Sequence, residues 1–289
     1  MPEIEATGHR PTIKRRRLSK ILTSARQQCG LSQPEVATRL GSGWSRGKVA
    51  YIENGKWLRP NPRDVRELCE LYGIGKRETD ALCQLAVEAR TKGWWRRFDD
   101  VFGNDFVGLE ADASLIREFE PLYVPGLLQT PAYVAEVTRA FPSPPDEMQR
   151  RITARLERQQ LLDRTEPAPP KLHMVIDEGA LLRRFGTVDE HREQIQRITD
   201  LARRDHIMVQ VLRLADGLHA GMNGAFTLLD FPDEQDLPIV YLESEIDNRL
   251  LEEEDEVARY SLVWDKVCDA ALDDEATLGH LERISESLE

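Results

Sequence analysis

The sequence predicts two domains of different class: an N-terminal all-α bundle of five short helices, and a C-terminal α+β domain with a small mixed sheet flanked by helices. Two observations carry this. Up to about Lys92 the apolar residues recur at helical spacing, in short segments punctuated by Gly, Asn and Pro. From Lys171 the period switches to alternation, as in Leu172, Met174 and Ile176, and strand-like runs then mix with longer helical ones. With 289 residues the chain can build two domains, each with its own core. The expected division is a flexible tail over 1–12, the helical domain over 13–92 and the α+β domain over 93–289.

A first helix from about Lys14 to Cys29 places Leu18, Ile21, Leu22 and Ala25 on one stripe, and Gly30 stops it. Ser32 with Glu35 three residues on is a capping box, which satisfies two orphan backbone donors and marks a second helix start. Val36, Ala37 and Leu40 share a face of that helix. After the turn Gly41-Ser42-Gly43-Trp44, Ser45 caps a third helix that buries Val49 and Ile52, and Gly55 suits the left-handed residue that ends it. The outward face left over carries Arg46, Gly47, Lys48 and Tyr51. Two short helices joined by a tight turn, the second offering cations at its first turn, form the expected shape of a major-groove reader. Asn61-Pro62 then open a fourth helix with Val65, Leu68, Cys69 and Tyr72 inside, and a fifth runs from about Lys76 to Lys92. Trp44 and Trp57 read as wedges around the third helix, and Glu53 as a residue that holds the turn through backbone or arginine contacts. The run Lys14-Arg15-Arg16-Arg17 is expected to add non-specific phosphate contacts.

Charge is distributed to match. The whole chain has a formal net charge of -12, which by itself suggests no affinity for nucleic acid. Residues 1–63, however, hold 13 Lys and Arg against 4 Asp and Glu, a balance of +9 that leaves −21 for the remainder. A basic end can release phosphate counterions, while the acidic remainder is kept off the polyanion.

In the second domain a helix is expected near Asp105–Arg117, with Phe106, Leu109, Ala113 and Ile116 on one face. A proline-broken apolar segment leads to a helix capped by Thr130, and a further helix spans about Pro145–Asp163. Strands are expected at Lys171–Asp177, Ile207–Leu214, Phe226–Phe231 and Pro238–Glu243. Helices are expected around Ile195, Ile198 and Leu201, over Glu252–Leu272, and near Glu275–Leu288.

Several function classes find no support. No apolar run approaches a transmembrane length, and the N-terminal residues lack a signal-peptide stretch. Cys29, Cys69, Cys83 and Cys268 form no CxxC pair and no zinc spacing, so neither a structural metal nor a cofactor is expected, and Cys69 and Cys83 read as buried free thiols. A cytoplasmic protein fits best. No GxSxG, HExxH, P-loop or GxGxxG appears. The residues with acid–base potential are His173 with Asp177 and Glu178, and the loop Asp216–Gly221 with Asp230, but many loops share that composition and no enzyme is expected. Instead His219, Asp177 and Glu178 stand as candidates for ligand or partner binding. The run Glu252–Glu256 either complements a helix dipole or docks a basic partner.

Two sets of motifs carry a resemblance. Leu31-Ser32-Gln33, Val36-Ala37, Ser45-Arg46, Val49 and Ile52-Glu53-Asn54-Gly55-Lys56 resemble the XRE-type, lambda-repressor-like helix-turn-helix. By that resemblance Arg46, Gly47 and Tyr51 sit where the family reads base edges, Gln33, Lys48 and Asn54 sit where it meets phosphates, and Ser45 belongs to the same DNA-binding set. Gly47 departs from the usual polar residue and offers no side-chain readout, which shifts specificity onto Arg46. Tyr51 can either reach a base or pack on the preceding helix. Glu118–Thr130, Val175–Leu181 and His219–Gly224 are similar to segments of an actinobacterial regulator family with an antitoxin-like (WhiJ-like) C-terminal domain, whose members are often encoded beside a small partner protein. The resemblance implies a nucleoid-associated transcriptional regulator that binds a double-stranded operator as a homodimer. Its C-terminal domain would receive a signal from a small partner protein or a ligand. The alternatives are an antitoxin-like protein that neutralises a small partner, with DNA binding auxiliary, and a DNA-tethered enzyme.

Overall fold

Glycine stops and apolar stripes shape the first helices together. In α1 (Ile13–Gln28) Leu18 and Leu22 are buried, and the helix closes at Gly30, whose φ of 67° lets the Gly30 and Leu31 N–H groups turn back to Gln27 O and Arg26 O at 2.9 and 3.2 Å. Helix α2 (Gln33–Leu40) starts with the complete Ser32–Glu35 capping box, and α3 (Arg46–Glu53) starts with the Ser45 hydroxyl accepting from the Lys48 N–H. The end of α3 repeats the closure of α1: Gly55 N–H donates to Ile52 O and Lys56 N–H to Tyr51 O, at 3.0 and 3.1 Å. Helices α4 (Pro62–Leu71) and α5 (Lys76–Glu88) complete the bundle. Leu18, Leu22, Val36, Val49, Ile52, Trp57, Val65 and Leu68 form its core. Cys69 and Cys83 are buried in the same core, where desolvation pushes the Cys69 thiol up to about 11 and raises that of Cys83 as well.

The computed structural model describes residues 13–57, 59–90, 93–102, 106–141, 144–233, 236–244 and 248–289; the tail expected over 1–12, and Thr91 and Lys92 at the expected end of the fifth helix, lie outside them. The chain divides into two units, one extending to Arg97 and including Phe102–Leu109, the other made of Phe98–Val101 and Glu110–Glu289. The stretch over which the chain changes unit holds a 3₁₀ turn (Trp94–Phe98), α6 (Asp99–Phe102) and α7 (Phe106–Asp112).

The second unit is built on a six-stranded mixed sheet in the order β3-β2-β1-β4-β5-β6. Its strands are β1 (Leu115–Glu120), β2 (Lys171–Asp177), β3 (Ile207–Leu212), β4 (Phe226–Asp230), β5 (Ile239–Leu242) and β6 (Arg249–Leu251). β1, β2 and β3 run parallel, with Ile116 opposite Leu172 and Leu172 opposite Ile207, whereas β4, β5 and β6 add antiparallel. The parallel crossovers carry α8 (Pro131–Arg139) and α9 (Pro145–Arg158), then α10 (Glu178–Leu182) and α11 (Val188–Ala202), as parallel pairing requires. Phe119, Val175, Leu228 and Val240 bury one sheet face together with Val257, Trp264 and Val267 of α12 (Glu254–Ala270). Ile116, Met174, Ile176 and Leu229 lie on the other face with no exposure. Helix α13 (Asp274–Ser287) packs with α11 beside β3.

One expectation fails here. The helix anticipated near Asp105–Arg117 ends at Asp112, and Leu115–Arg117 begin the central strand. Phe106, Leu109, Ala113 and Ile116 imitate a helical stripe, while Arg117, Glu118 and Glu120 hide the strand's alternation. Arg117 is accommodated because Asp230 on the neighbouring β4 accepts two hydrogen bonds from its guanidinium, at 3.0 and 2.9 Å. Strand β6 and helix α10 are too short for periodicity to announce them. Among the described residues no helix is long and apolar enough to cross a membrane.

Candidate nucleic-acid interface

The cap at Ser45 determines how α3 begins, and therefore where its first side chains point. Val49 and Ile52 are 1 % and 2 % exposed and anchor the inner face. Arg46, Gly47, Tyr51 and Asn54 are exposed on the rest of the helix and its end. Tyr51 is 46 % exposed, so part of its ring is covered and part stands open, and both of its sequence readings remain. Gly47 has only the Ser45 hydroxyl near its missing Cβ, at 3.8 Å, so a side chain there would face open space.

Lys48 is held differently from Arg46. Its ammonium lies 2.9 Å from Asp64 Oδ2 on α4, 4.1 Å from the centre of the Trp44 ring and 3.4 Å from Gly43 O. A phosphate contact by Lys48 must therefore displace an internal carboxylate. Gln33 is also engaged internally, donating from Nε2 to Glu53 Oε2 at 2.7 Å. That carboxylate is the hub of the motif: Arg26 on α1 clasps it through Nε and Nη2 at 2.6 and 3.0 Å, and Arg26 Nη1 donates to Leu31 O at 2.6 Å. Glu53 thus joins α1, the start of α2 and the end of α3. Trp44 donates to Glu67 Oε2 at 2.7 Å, and Trp57, buried, donates to Ser19 Oγ at 3.1 Å.

The basic run on α1 is less available than its composition suggests. Arg15 is 2 % exposed and does not stand open for phosphate as the sequence reading expected, whereas Lys14, 41 % exposed, lies in a surface ion pair 3.3 Å from Glu88 on α5. Asp64 and Arg26, which govern how Lys48 and Glu53 are held, carry no local sequence signal, because their partners are 16 and 27 positions away and meet them only through packing.

In the second unit the structure brings His219 to Asp177, with Nε2 3.4 Å from Oδ2. The Gly221 N–H donates to His219 Nδ1 at 3.2 Å, which leaves the ring proton on Nε2, facing the carboxylate. Phe119 meets the imidazole edge-on, with ring centroids 5.6 Å apart. Glu178 does not join this pair. It accepts from the Leu214 N–H at 2.7 Å and lies 2.7 Å from His280 Nε2, a residue of α13 that the sequence reading did not single out. Among the described residues no group of three or more His, Cys, Asp or Glu side chains could hold a metal ion. His173 instead bonds Gln210 at 2.7 Å, and its burial lowers its affinity for a proton.

The chain is similar to two family models. One, described as a helix-turn-helix domain, matches residues 17–82, a span that begins within α1, contains α2 to α4 and ends within α5. The other, described as a domain of unknown function (DUF5753), matches residues 104–283. No curated protein and no solved structure matches.

Proposed function

The chain belongs to the DUF5753 family and carries a helix-turn-helix domain ahead of the family region, and from that premise we propose that it is a transcriptional regulator that binds operator DNA as a homodimer. The observation that carries this reading is Arg46, exposed at the first position of a capped helix whose inner face is anchored by Val49 and Ile52. From there a guanidinium can approach base edges in the major groove, with Tyr51 beside it and Asn54 at the helix end. A single eight-residue helix reads few base pairs, so two-fold pairing supplies the remaining recognition. The family region takes the role of signal receiver, answering a small partner protein or ligand, and the protein works in the cytoplasm on the nucleoid. We assign it no catalysis: both ring nitrogens of His219 are engaged, which suits a structural latch better than a proton carrier.

A mobility-shift comparison tests the assignment. Arg46→Ala should weaken binding to the selected operator by about 1–3 kcal/mol, roughly 5- to 150-fold, while non-specific binding changes little. Unchanged operator affinity would remove α3 from the reading. The antitoxin-like alternative rests on the exposed acidic turn Glu254-Asp255 that opens α12. It predicts a partner complex that dissociates as salt is raised, whether or not DNA is present.

A further inference from the structure

On one face of the sheet in the second unit, apart from every residue assigned above, carboxylates outnumber cations. Glu118 and Glu120 lie two residues apart on β1 and share a face. Across the sheet Glu118 stands opposite Thr227 and Thr227 opposite Tyr241, with Glu243 two residues beyond. Glu243 acts electrostatically on both β1 carboxylates, as does Arg158 of α9 with the opposite sign, and Arg155 of the same helix acts on Glu120. Arg158 is already committed to Glu110, which accepts two of its hydrogen bonds at 2.6 Å. Glu110, Glu118, Glu120 and Glu243 thus stand against two guanidiniums, those of Arg155 and Arg158.

Glu118 is 6 % exposed, and its Oε2 has no hydrogen-bond partner. Among the described residues, neither Glu120, Glu243 nor Arg155 has an ion-pair partner within 4.0 Å. Exposure rises outward, from buried Glu118 through partly buried Glu120 to exposed Glu243 and Tyr123. The innermost carboxylate of the group thus keeps an acceptor that no hydrogen-bond donor answers. A buried carboxylate without a partner is costly, and it recovers that cost by taking a proton or a cation. Burial pushes Glu118 up to about 7 and holds Glu120 well above the usual carboxylate range, consistent with both waiting for positive charge. Since the described residues offer no metal-holding group, a bare metal ion does not fit.

We propose that this carboxylate group binds a small organic cation through an ammonium or guanidinium group, with Glu118 as the innermost acceptor and Glu120 and Glu243 flanking it. This deepens the reading of the family region as a signal receiver, and only its regulatory consequence rests on that reading. Calorimetric titration of the full chain at pH 8 with agmatine, which carries both groups, tests it against NaCl and MgCl2 at equal ionic strength. The expected result is saturable binding of agmatine alone, weakened at least tenfold in Glu118→Gln and severalfold in Glu243→Gln. Equal heats from the salts, or agmatine binding undiminished in both variants, would overturn the site. Should circular dichroism show Glu118→Gln unfolded, Glu120→Gln and Glu243→Gln carry the same comparison. Operator affinity with and without agmatine separates the two claims: binding that leaves it unchanged refutes the signalling role and keeps the site, whereas absence of binding refutes the site and leaves the DNA reader untouched.

Discussion

Replacing Asp64 by Asn should make the chain hold duplex DNA more tightly. The Lys48 ammonium sits 2.9 Å from Asp64 Oδ2, and the two side chains are 31 % and 19 % exposed. An ion pair so close to solvent contributes on the order of 0.5–1 kcal/mol, and a phosphate can claim Lys48 only by giving that up. Asn keeps the size of the side chain in the first turn of α4 and removes its charge, so the gain in affinity should be about 2- to 5-fold. The steepness of log affinity against log salt should also increase by about 0.9, the value of one further phosphate contact. Fluorescence anisotropy on a labelled duplex between about 50 and 200 mM salt measures both, and needs no operator because counterion release is independent of sequence. Lys48→Ala combined with Asp64→Asn should return the slope to that of Lys48→Ala alone. An unchanged slope in Asp64→Asn, or a gain that survives the loss of Lys48, would refute the exchange of one carboxylate for another anion.

Glu53→Gln leaves Arg26, whose side chain is 13 % exposed, without its charged partner, and should cost about 3 kcal/mol; calorimetric unfolding of the full chain checks this, and a loss under about 1 kcal/mol would contradict it. A Cβ at Gly221 would come within 2.4 Å of Phe119 Cε1, so Gly221→Ala should destabilise the chain by about 1–3 kcal/mol, and a wild-type urea midpoint would show that the loop gives way freely. Glu118 binds its proton more tightly in the fold than in the unfolded chain, so its contribution is fully present below about pH 4.5 and is lost as pH rises through about 7. Glu118→Gln should accordingly match the wild type at about pH 4 and exceed its melting temperature at about pH 8; a parallel pH dependence in the two proteins would exclude this.

The first domain was legible because its signals are local. The Ser32–Glu35 box, the Ser45 cap and the glycines at positions 30 and 55 each act within a few residues, and each forms the contact its chemistry implies. What stayed hidden depends on residues far apart in the chain. Nothing near Lys48 announces Asp64, and nothing near Glu178 announces His280 on the last helix. The central strand was missed for a related reason, since Arg117 is tolerable there only because Asp230 waits on the adjacent strand. Glu118 and Glu120 lie in a motif of the second domain, yet their chemistry depends on Glu243, which follows β5 and meets them only through the sheet.

The clasp around Glu53 has a consequence for control. Three helices answer to one carboxylate, so α3 cannot pivot or slide by itself without releasing both the Arg26 fork and the Gln33 amide. The helix-turn-helix is in effect a welded part. Tilting α3 by itself breaks these three hydrogen bonds, whereas moving the bundle as one body breaks none of them.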